Sequence, residues 1–271
     1  MSFVSLPCRV CESHRWDFLF RKSGWNIVRC QNCGFVYTHP IPTREDLHRY
    51  YASGVKIDWR DEKNPELIEH FRPEQAKKDF CDMRKGKRRR GRIWVRQRRL
   101  VRWNRYLPQK GRFLDVGCAE GYLVIAAQKR KKWYCAGVDV QMHRMARGRL
   151  QYSDLPLCLG LADQLCFKEE TFDIMTMTHL LEHTFDPLGT LLELFRVLRK
   201  EGVVVVTVPD VAHPIARLMG KNWRRVNPPV HLWYFSLETL VRIVEKAAFK
   251  VIYNERSLLR GHVTIIGRKS D

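Results

Sequence analysis

No apolar run in this 271-residue chain approaches the roughly 20 residues needed to cross a bilayer. The longest beside a strand pattern is Val203 to Val206, carried on through Thr207 and Val208. The opening stretch MSFVSLPCRVC has no basic segment followed by an apolar one, so it does not read as a secretory leader, and a cytoplasmic protein is expected. Acid is scarce beside base, with 29 Asp and Glu against 49 Lys and Arg and a formal net charge of +20. Such a field favours polyanions (nucleic acid, anionic lipid or phosphorylated metabolites) without choosing among them. There is no internal repeat. What is there, 45% hydrophobic and 29% charged residues, is the mix of a folded globular chain, long enough for one α/β domain and a small appendage.

Nine cysteines leave one unpaired in any full disulfide scheme, which fits a reduced compartment with some thiols on metal. Cys8-Arg-Val-Cys11 and Cys30-Gln-Asn-Cys33 each enclose two residues and stand 18 residues apart, the spacing of a zinc ribbon. A two-residue gap lets both thiolates of a tight turn point at one ion, and Gly34 can take the left-handed conformation that closes the second turn. Four thiolates saturate zinc, so Cys8, Cys11, Cys30 and Cys33 predict a structural Zn²⁺ site with no open position. The proline-marked THPIPT ends this module, giving residues 1–42.

Residues 43–107 read as a helical connector. Thr43 followed by Glu45 and Asp46 suits a helix start, as does Asn64-Pro65. From Arg84 to Arg105, 12 of 22 residues are Lys or Arg, yet Ile93, Leu100, Trp103 and Leu107 recur at near-helical spacing, which predicts an amphipathic helix. Over residues 108–271 strand-like runs (RFLDVG, YCAGVDV, FDIMTMT, VVVVTVP) alternate with helix patterns, the signature of a parallel sheet, and FKVIYNE and HVTIIGR add two strands near one edge.

The run from Arg112 to Tyr122 predicts a strand, a tight turn through Gly117 and Gly121, and a helix whose free N–H groups face a ligand. Asp139 ends the next strand, 24 residues after Asp115, where a carboxylate can accept both hydroxyls of a ribose. A dehydrogenase would want both features too, but its usual fingerprint is G-x-G-x-x-G, and here the turn reads G-x-x-x-G after an aspartate.

In order and spacing, LDVGCAEG, GVDV, ADQLCF and TFDIMTMTHLLEHTFDP resemble the class I methyltransferase family over roughly residues 108–271. The resemblance implies a Rossmann-like seven-stranded sheet and S-adenosyl-L-methionine. It implies that Asp115 and Gly117, in a turn completed by Cys118, Ala119 and Gly121, border the methionine part. Asp139 with Val140 would hold the ribose, Ala162 and Asp163 would lie at the adenine, and Thr178 and His179 would close the pocket. The family often has glycine where Ala119 stands and proline where Cys166 stands.

His179-Leu-Leu-Glu182-His183 matches the H-x-x-E-H of inverted zinc proteases, but those ligands share a helix, whereas His179 directly follows a strand pattern. Glu182 reads as a first-turn helix acid. Methyl transfer to oxygen or carbon gains from a base on the acceptor side, and the candidates are His183 and His231. Trp233, Tyr234 and Phe235 beside His231 either wall an acceptor pocket or pack a last helix starting at Ser236.

A cysteine-pair module before this pattern also resembles sugar-modifying methyltransferases, which carry a further C-terminal domain. A small-molecule, sugar, glycan or lipid-linked acceptor is therefore expected. The Arg-rich helix admits three readings: a solvated face, an anionic membrane surface to which the protein is peripheral, or RNA as the acceptor class. A third function class is a zinc-ribbon binding protein whose methyltransferase domain is degenerate. The retained Asp115, Gly117 and Asp139 speak against it.

Overall fold

The computed structural model describes residues 3–53, 86–129, 133–257 and 259–270; the helix start expected at Asn64-Pro65 lies outside them. Seven strands form the central sheet: β6 (Gly111–Val116), β7 (Trp133–Asp139), β8 (Leu157–Leu159), β9 (Phe172–Thr178), β10 (Leu198–Pro209), β12 (Phe249–Ser257) and β13 (His262–Lys269). Their spatial order is β12-β13-β10-β9-β6-β7-β8, parallel from β8 to β10, with β13 antiparallel to both neighbours. The chain winds outward from β6 to β8 and then returns to β9 on the other side of β6. Ligands of open α/β sheets bind at such a reversal, outside the C-terminal strand ends.

Helices cover both faces. The basic segment forms α2 (Gly86–Trp103). Ile93, Leu100 and Trp103, with Leu107 beyond it, are buried in one core with Tyr122 to Ala127 of α3 (Tyr122–Gln128). Its outer face carries Trp94, 52% exposed, with the Arg98 guanidinium 4.3 Å above the ring. On the other face, α5 (Pro187–Val197) lays Leu191 and Leu194 against β10, and α6 (Leu237–Lys246) lays Leu240 and Ile243 against β12 and β13, all in one core. The expected start at Ser236 is a capping box: Ser236 Oγ accepts the Thr239 N–H, and the Ser236 N–H donates to Thr239 Oγ1.

The cysteine segment folds as β2 (Trp16–Lys22), β3 (Trp25–Cys30) and β4 (Val36–His39), and a short pair, β1 (Phe3–Val4) with β5 (Ile41–Pro42), flanks them. The three-stranded sheet gains a fourth strand from far along the chain: β11 (Trp233–Tyr234) pairs antiparallel with β4. Phe35 packs against Phe235 at 5.1 Å and stacks on Trp233 at 6.1 Å between ring centres. Trp233 and Phe235 therefore lie in one core with Phe35 of the cysteine module and Leu240 and Ile243 of the last helix, Tyr234 lies in another with Ile27 and Val36, and none of the three lines the cavity described below.

Between β7 and β8, α4 (Met142–Arg149) crosses the loop before α3 so closely that a Cβ on Gly148 would stand 2.5 Å from the Glu120 carbonyl oxygen. Helix propensity favours Gly148→Ala by about 1 kcal/mol. A backbone oxygen cannot swing aside as a side chain can, and such overpacking costs about 1–3 kcal/mol. Gly148→Ala is accordingly expected to be net destabilising, seen as a lower denaturant midpoint. A raised midpoint would mean that the loop yields.

Candidate functional site

A cavity of about 430 Å³ opens at the reversal between β6 and β9. Of the residues expected at the cofactor, Gly117, Asp139, Val140, Ala162, Asp163 and His179 line it. Gly117 has φ +77°, a conformation that favours glycine, and a Cβ there would stand 2.9 Å from Leu180 Cδ2, so a larger residue would also have to move that side chain. The Gly117 and Cys118 N–H groups both donate to the Val138 carbonyl, at 2.8 and 3.1 Å, which ties the turn to β7.

Asp139 is held from two sides: its Oδ2 accepts the Ala119 N–H and its Oδ1 the Gln141 N–H, each at 2.8 Å. Every carboxylate oxygen has two lone pairs, so a diol can still be accepted by a group already locked in place. Ala119 itself has φ +52°, which explains why glycine is common there in the family and why the Asp139 bond matters for this turn.

Five residues expected at the cofactor do not line the cavity but stand in the frame around it. Asp115 is fully buried under the turn, where burial pushes its carboxyl up to about 7 although Thr176 Oγ1 donates to it at 2.7 Å. Cys118 packs on β7, Ala119 holds Asp139, and Gly121 (φ +74°) caps α3 with a would-be Cβ 2.4 Å from Leu155 Cδ2. Thr178 ends β9, its buried hydroxyl unpartnered among the described residues.

Asp163 pairs with Arg44, a residue outside the expected site, and the Arg44 guanidinium lies 5.0 Å from the centre of the Phe185 ring. Arg44 opens α1 (Arg44–Ser53), whose Leu47, His48, Tyr50 and Tyr51 form one wall of the cavity. The Thr43 start signal was visible in the sequence, but nothing local says that this helix would return over a cavity formed some 70 residues later.

On the far wall, His179 follows β9 at φ +54° with its N–H on the Thr207 carbonyl, and Leu181–His183 is one turn of 3₁₀ helix. His183 lines the cavity, while His231 stands behind it, ring to ring at 4.5 Å and edge-on. The segment carrying His231 is clamped from both sides: the Leu232 N–H donates to the Glu182 carbonyl at 2.9 Å, and the Thr38 N–H of β4 donates to the Leu232 carbonyl at 2.8 Å. Burial and the neighbouring His183 push the His231 ring down to about 4. Glu182 does stand in the first turn of that 3₁₀ helix, but its side chain is buried at 1% exposure beside the histidines.

In the N-terminal module the four expected sulfurs converge. Cys8 and Cys33, and Cys11 and Cys30, stand 3.5 Å apart, and all four lie within 4.8 Å of one another. Sulfurs bound to one zinc at about 2.3 Å stand about 3.8 Å apart, so this donor set fits a closed tetrahedral site. Glu12 and Gly34, each following the second cysteine of its pair, take φ +61° and +74°.

Comparison with known proteins agrees with this geometry. The family model of the methyltransferase domain matches residues 87–254. A probable S-adenosylmethionine-dependent methyltransferase of Mycolicibacterium smegmatis is 27% identical over 142 residues, 51% of this chain and 51% of that protein. The demethylmenaquinone methyltransferase of Streptomyces avermitilis is 33% identical over 101 residues, 37% of this chain and 42% of that protein. The chain thus matches about half the length of these curated relatives. A Pyrococcus horikoshii protein of solved structure shares the fold at a TM-score of 0.56 and 18% identity, covering 66% of this chain and 90% of its own. An S-adenosylmethionine-dependent methyltransferase from Mesorhizobium loti does so at 0.53 and 16%, covering 62% and 96%. With the sheet order, the glycine turn and the carboxylate at the end of β7 all in place, and a family model matching more than half of its length, the chain belongs to the methyltransferase-domain family, on the class I S-adenosylmethionine-dependent fold.

Proposed function

We propose that the protein transfers the methyl group of S-adenosylmethionine to a small-molecule, sugar, glycan or lipid-linked acceptor. The observation that carries the reading is a single cavity in which the Gly117 turn, the doubly held Asp139 and the His179–His183 turn face one space. Asp139 would accept the ribose hydroxyls, the Gly117 turn would lie along the methionine end over Asp115, and Ala162 and Asp163 would meet the adenine. When bound, the cofactor supplies an electrophilic methyl group on a sulfonium sulfur. The protein's part is to position the acceptor and keep water out, with α1 as the covering wall. His183 is on the acceptor side, and His231 acts through it.

The cysteine module would hold Zn²⁺ structurally, and by sharing a sheet with β11 it fixes the segment that carries His231. The exposed Trp94 with Arg98 over it, on a helix rich in arginine, suits an anionic membrane surface, which supports a lipid-linked acceptor.

Incubation with methyl-labelled cofactor and separate pools of glycan, lipid and RNA tests the reading. Label is expected in the glycan or lipid pool. Label confined to RNA would replace the acceptor class, and a folded, zinc-loaded protein giving no heat with either S-adenosylmethionine or S-adenosylhomocysteine would remove methyl transfer itself.

A further inference from the structure

Methyl transfer as described leaves Glu182 unexplained. Its side chain is 1% exposed, and neither Oε1 nor Oε2 has a hydrogen-bond partner among the described residues. Buried carboxylates are ordinarily hydrogen-bonded, ion-paired or bound to a metal. What surrounds this one is imidazole nitrogen. His183 Nε2 stands 3.9 Å from Oε1, and His179 Nδ1, itself unpartnered among the described residues, stands 3.6 Å from the same oxygen.

The orientation of His183 is decided by its other nitrogen. Nδ1 lies 2.7 Å from the Val230 carbonyl oxygen, which can only accept, so Nδ1 carries the proton and Nε2 presents its lone pair toward Glu182. Tyr51 Oη donates to the same carbonyl at 3.1 Å and braces the arrangement. A far N–H anchored on a backbone carbonyl is the usual second contact of a metal-binding histidine. One donor atom each from Glu182, His183 and His231 lies within 4.8 Å of the other two.

We propose that Glu182, His183 and His231 bind one divalent first-row transition cation in the wall of the cavity, and that this ion holds the oxygen of an acceptor hydroxyl. Two imidazoles and a carboxylate suit Mn²⁺, Fe²⁺, Co²⁺, Ni²⁺ or Zn²⁺, whereas Mg²⁺ and Ca²⁺ want mostly oxygen. Three protein ligands leave coordination positions open, unlike the four-thiolate site. His183 and His179 both line the cavity, so the open side faces the acceptor space. An oxygen bound there loses its proton to solvent more readily, because the cation stabilises the oxyanion. Its lone pair forms the new O–C bond as the C–S bond of the sulfonium breaks, giving a methyl ether, the neutral thioether and one released proton. The role toward the acceptor rests on the methyl-transfer reading and selects oxygen over carbon, but the binding of the ion does not depend on it.

The experiment titrates the full zinc-loaded chain with Co²⁺. One equivalent beyond zinc is expected to bind, giving visible d–d absorption without the intense near-ultraviolet thiolate charge transfer that cobalt in the cysteine site would show. Glu182→Gln, nearly isosteric, and His231→Ala are each expected to weaken that binding by at least about tenfold. Retention of one zinc per chain reports that each variant still folds. No second equivalent in the unmodified chain, thiolate bands alone, or unchanged affinity in folded Glu182→Gln would overturn the site. Calorimetry with S-adenosylhomocysteine on the same unmodified sample separates the two readings: cobalt bound without any response to this ligand supports the metal site and removes methyl transfer.

Discussion

Asp139→Ala is expected to weaken S-adenosylhomocysteine binding by about a hundredfold or more. A hydrogen bond to a charged group contributes about 1.5–3 kcal/mol, and two are at stake if the carboxylate takes both ribose hydroxyls. A net loss of about 3 kcal/mol is already about two decades in affinity. A second consequence adds to it. The same carboxylate holds Ala119 at φ +52°, a conformation that costs a non-glycine residue about 1–2 kcal/mol, so without it the turn beside Gly117 is free to relax away from the ligand. Asp139→Asn keeps one acceptor oxygen and should fall between the two. Calorimetry at fixed salt gives the ranking, and an alanine variant binding within a few-fold of the unmodified protein would mean that the ribose is held elsewhere.

The parts of this site that could be read in advance are those whose chemistry is local. β6, β7 and β9 are apolar runs that end on Asp115-Val-Gly117, Asp139 and Thr178-His179, and a strand that stops at such residues announces a ligand at its tip. The stripe of Ile93, Leu100, Trp103 and Leu107 was equally legible through its arginines, because helical spacing survives any charge on the other face. β10 begins earlier than its valine run: α5 passes directly into it at Leu198, and the charged Arg199-Lys200-Glu201 hides the start, where the register with β9 is irregular.

What stayed hidden depends on pairing across the chain. A two-residue strand such as β11 has no periodicity to detect, and its partner β4 lies nearly two hundred residues earlier. Glu182 looked like an ordinary helix-start acid because its burial is produced by the 230–232 segment, and the Arg44–Asp163 pair joins residues that share no local signal. His231 is the intermediate case. Its aromatic neighbourhood marked it as special, but only the fold shows that the neighbourhood belongs to the cysteine module and that the histidine alone turns toward His183.

Cys30→Ser is expected to destabilise the protein far more than Gly148→Ala or Asp139→Ala. Serine at pH 7 offers zinc a neutral hydroxyl in place of a thiolate, and structural zinc sites supply apparent free energies of about 10–16 kcal/mol to the folds they close. Cys30 is 1% exposed at the end of β3, its N–H donates to the Phe35 carbonyl at 2.8 Å, and its carbonyl accepts the Gly34 N–H at 3.0 Å. Losing the ion therefore loosens the turn that sets Phe35 against Trp233 and Phe235. The damage should not stop at the module. Thr38 of β4 also donates through its hydroxyl to the His231 carbonyl at 3.2 Å, so a loosened β4 frees the segment that presents His231 to Glu182 and His183. Metal analysis should find less than one zinc per chain, the thermal midpoint should fall by many degrees, and cobalt binding at the second site should weaken together with it. Cys166→Ser, which changes an exposed thiol outside both clusters, is the matched control and should retain zinc and midpoint. If Cys30→Ser lost its zinc yet kept the same midpoint and the same cobalt affinity, the cysteine module would be an independent appendage, and the shared sheet through β11 would not transmit its stability to the cavity.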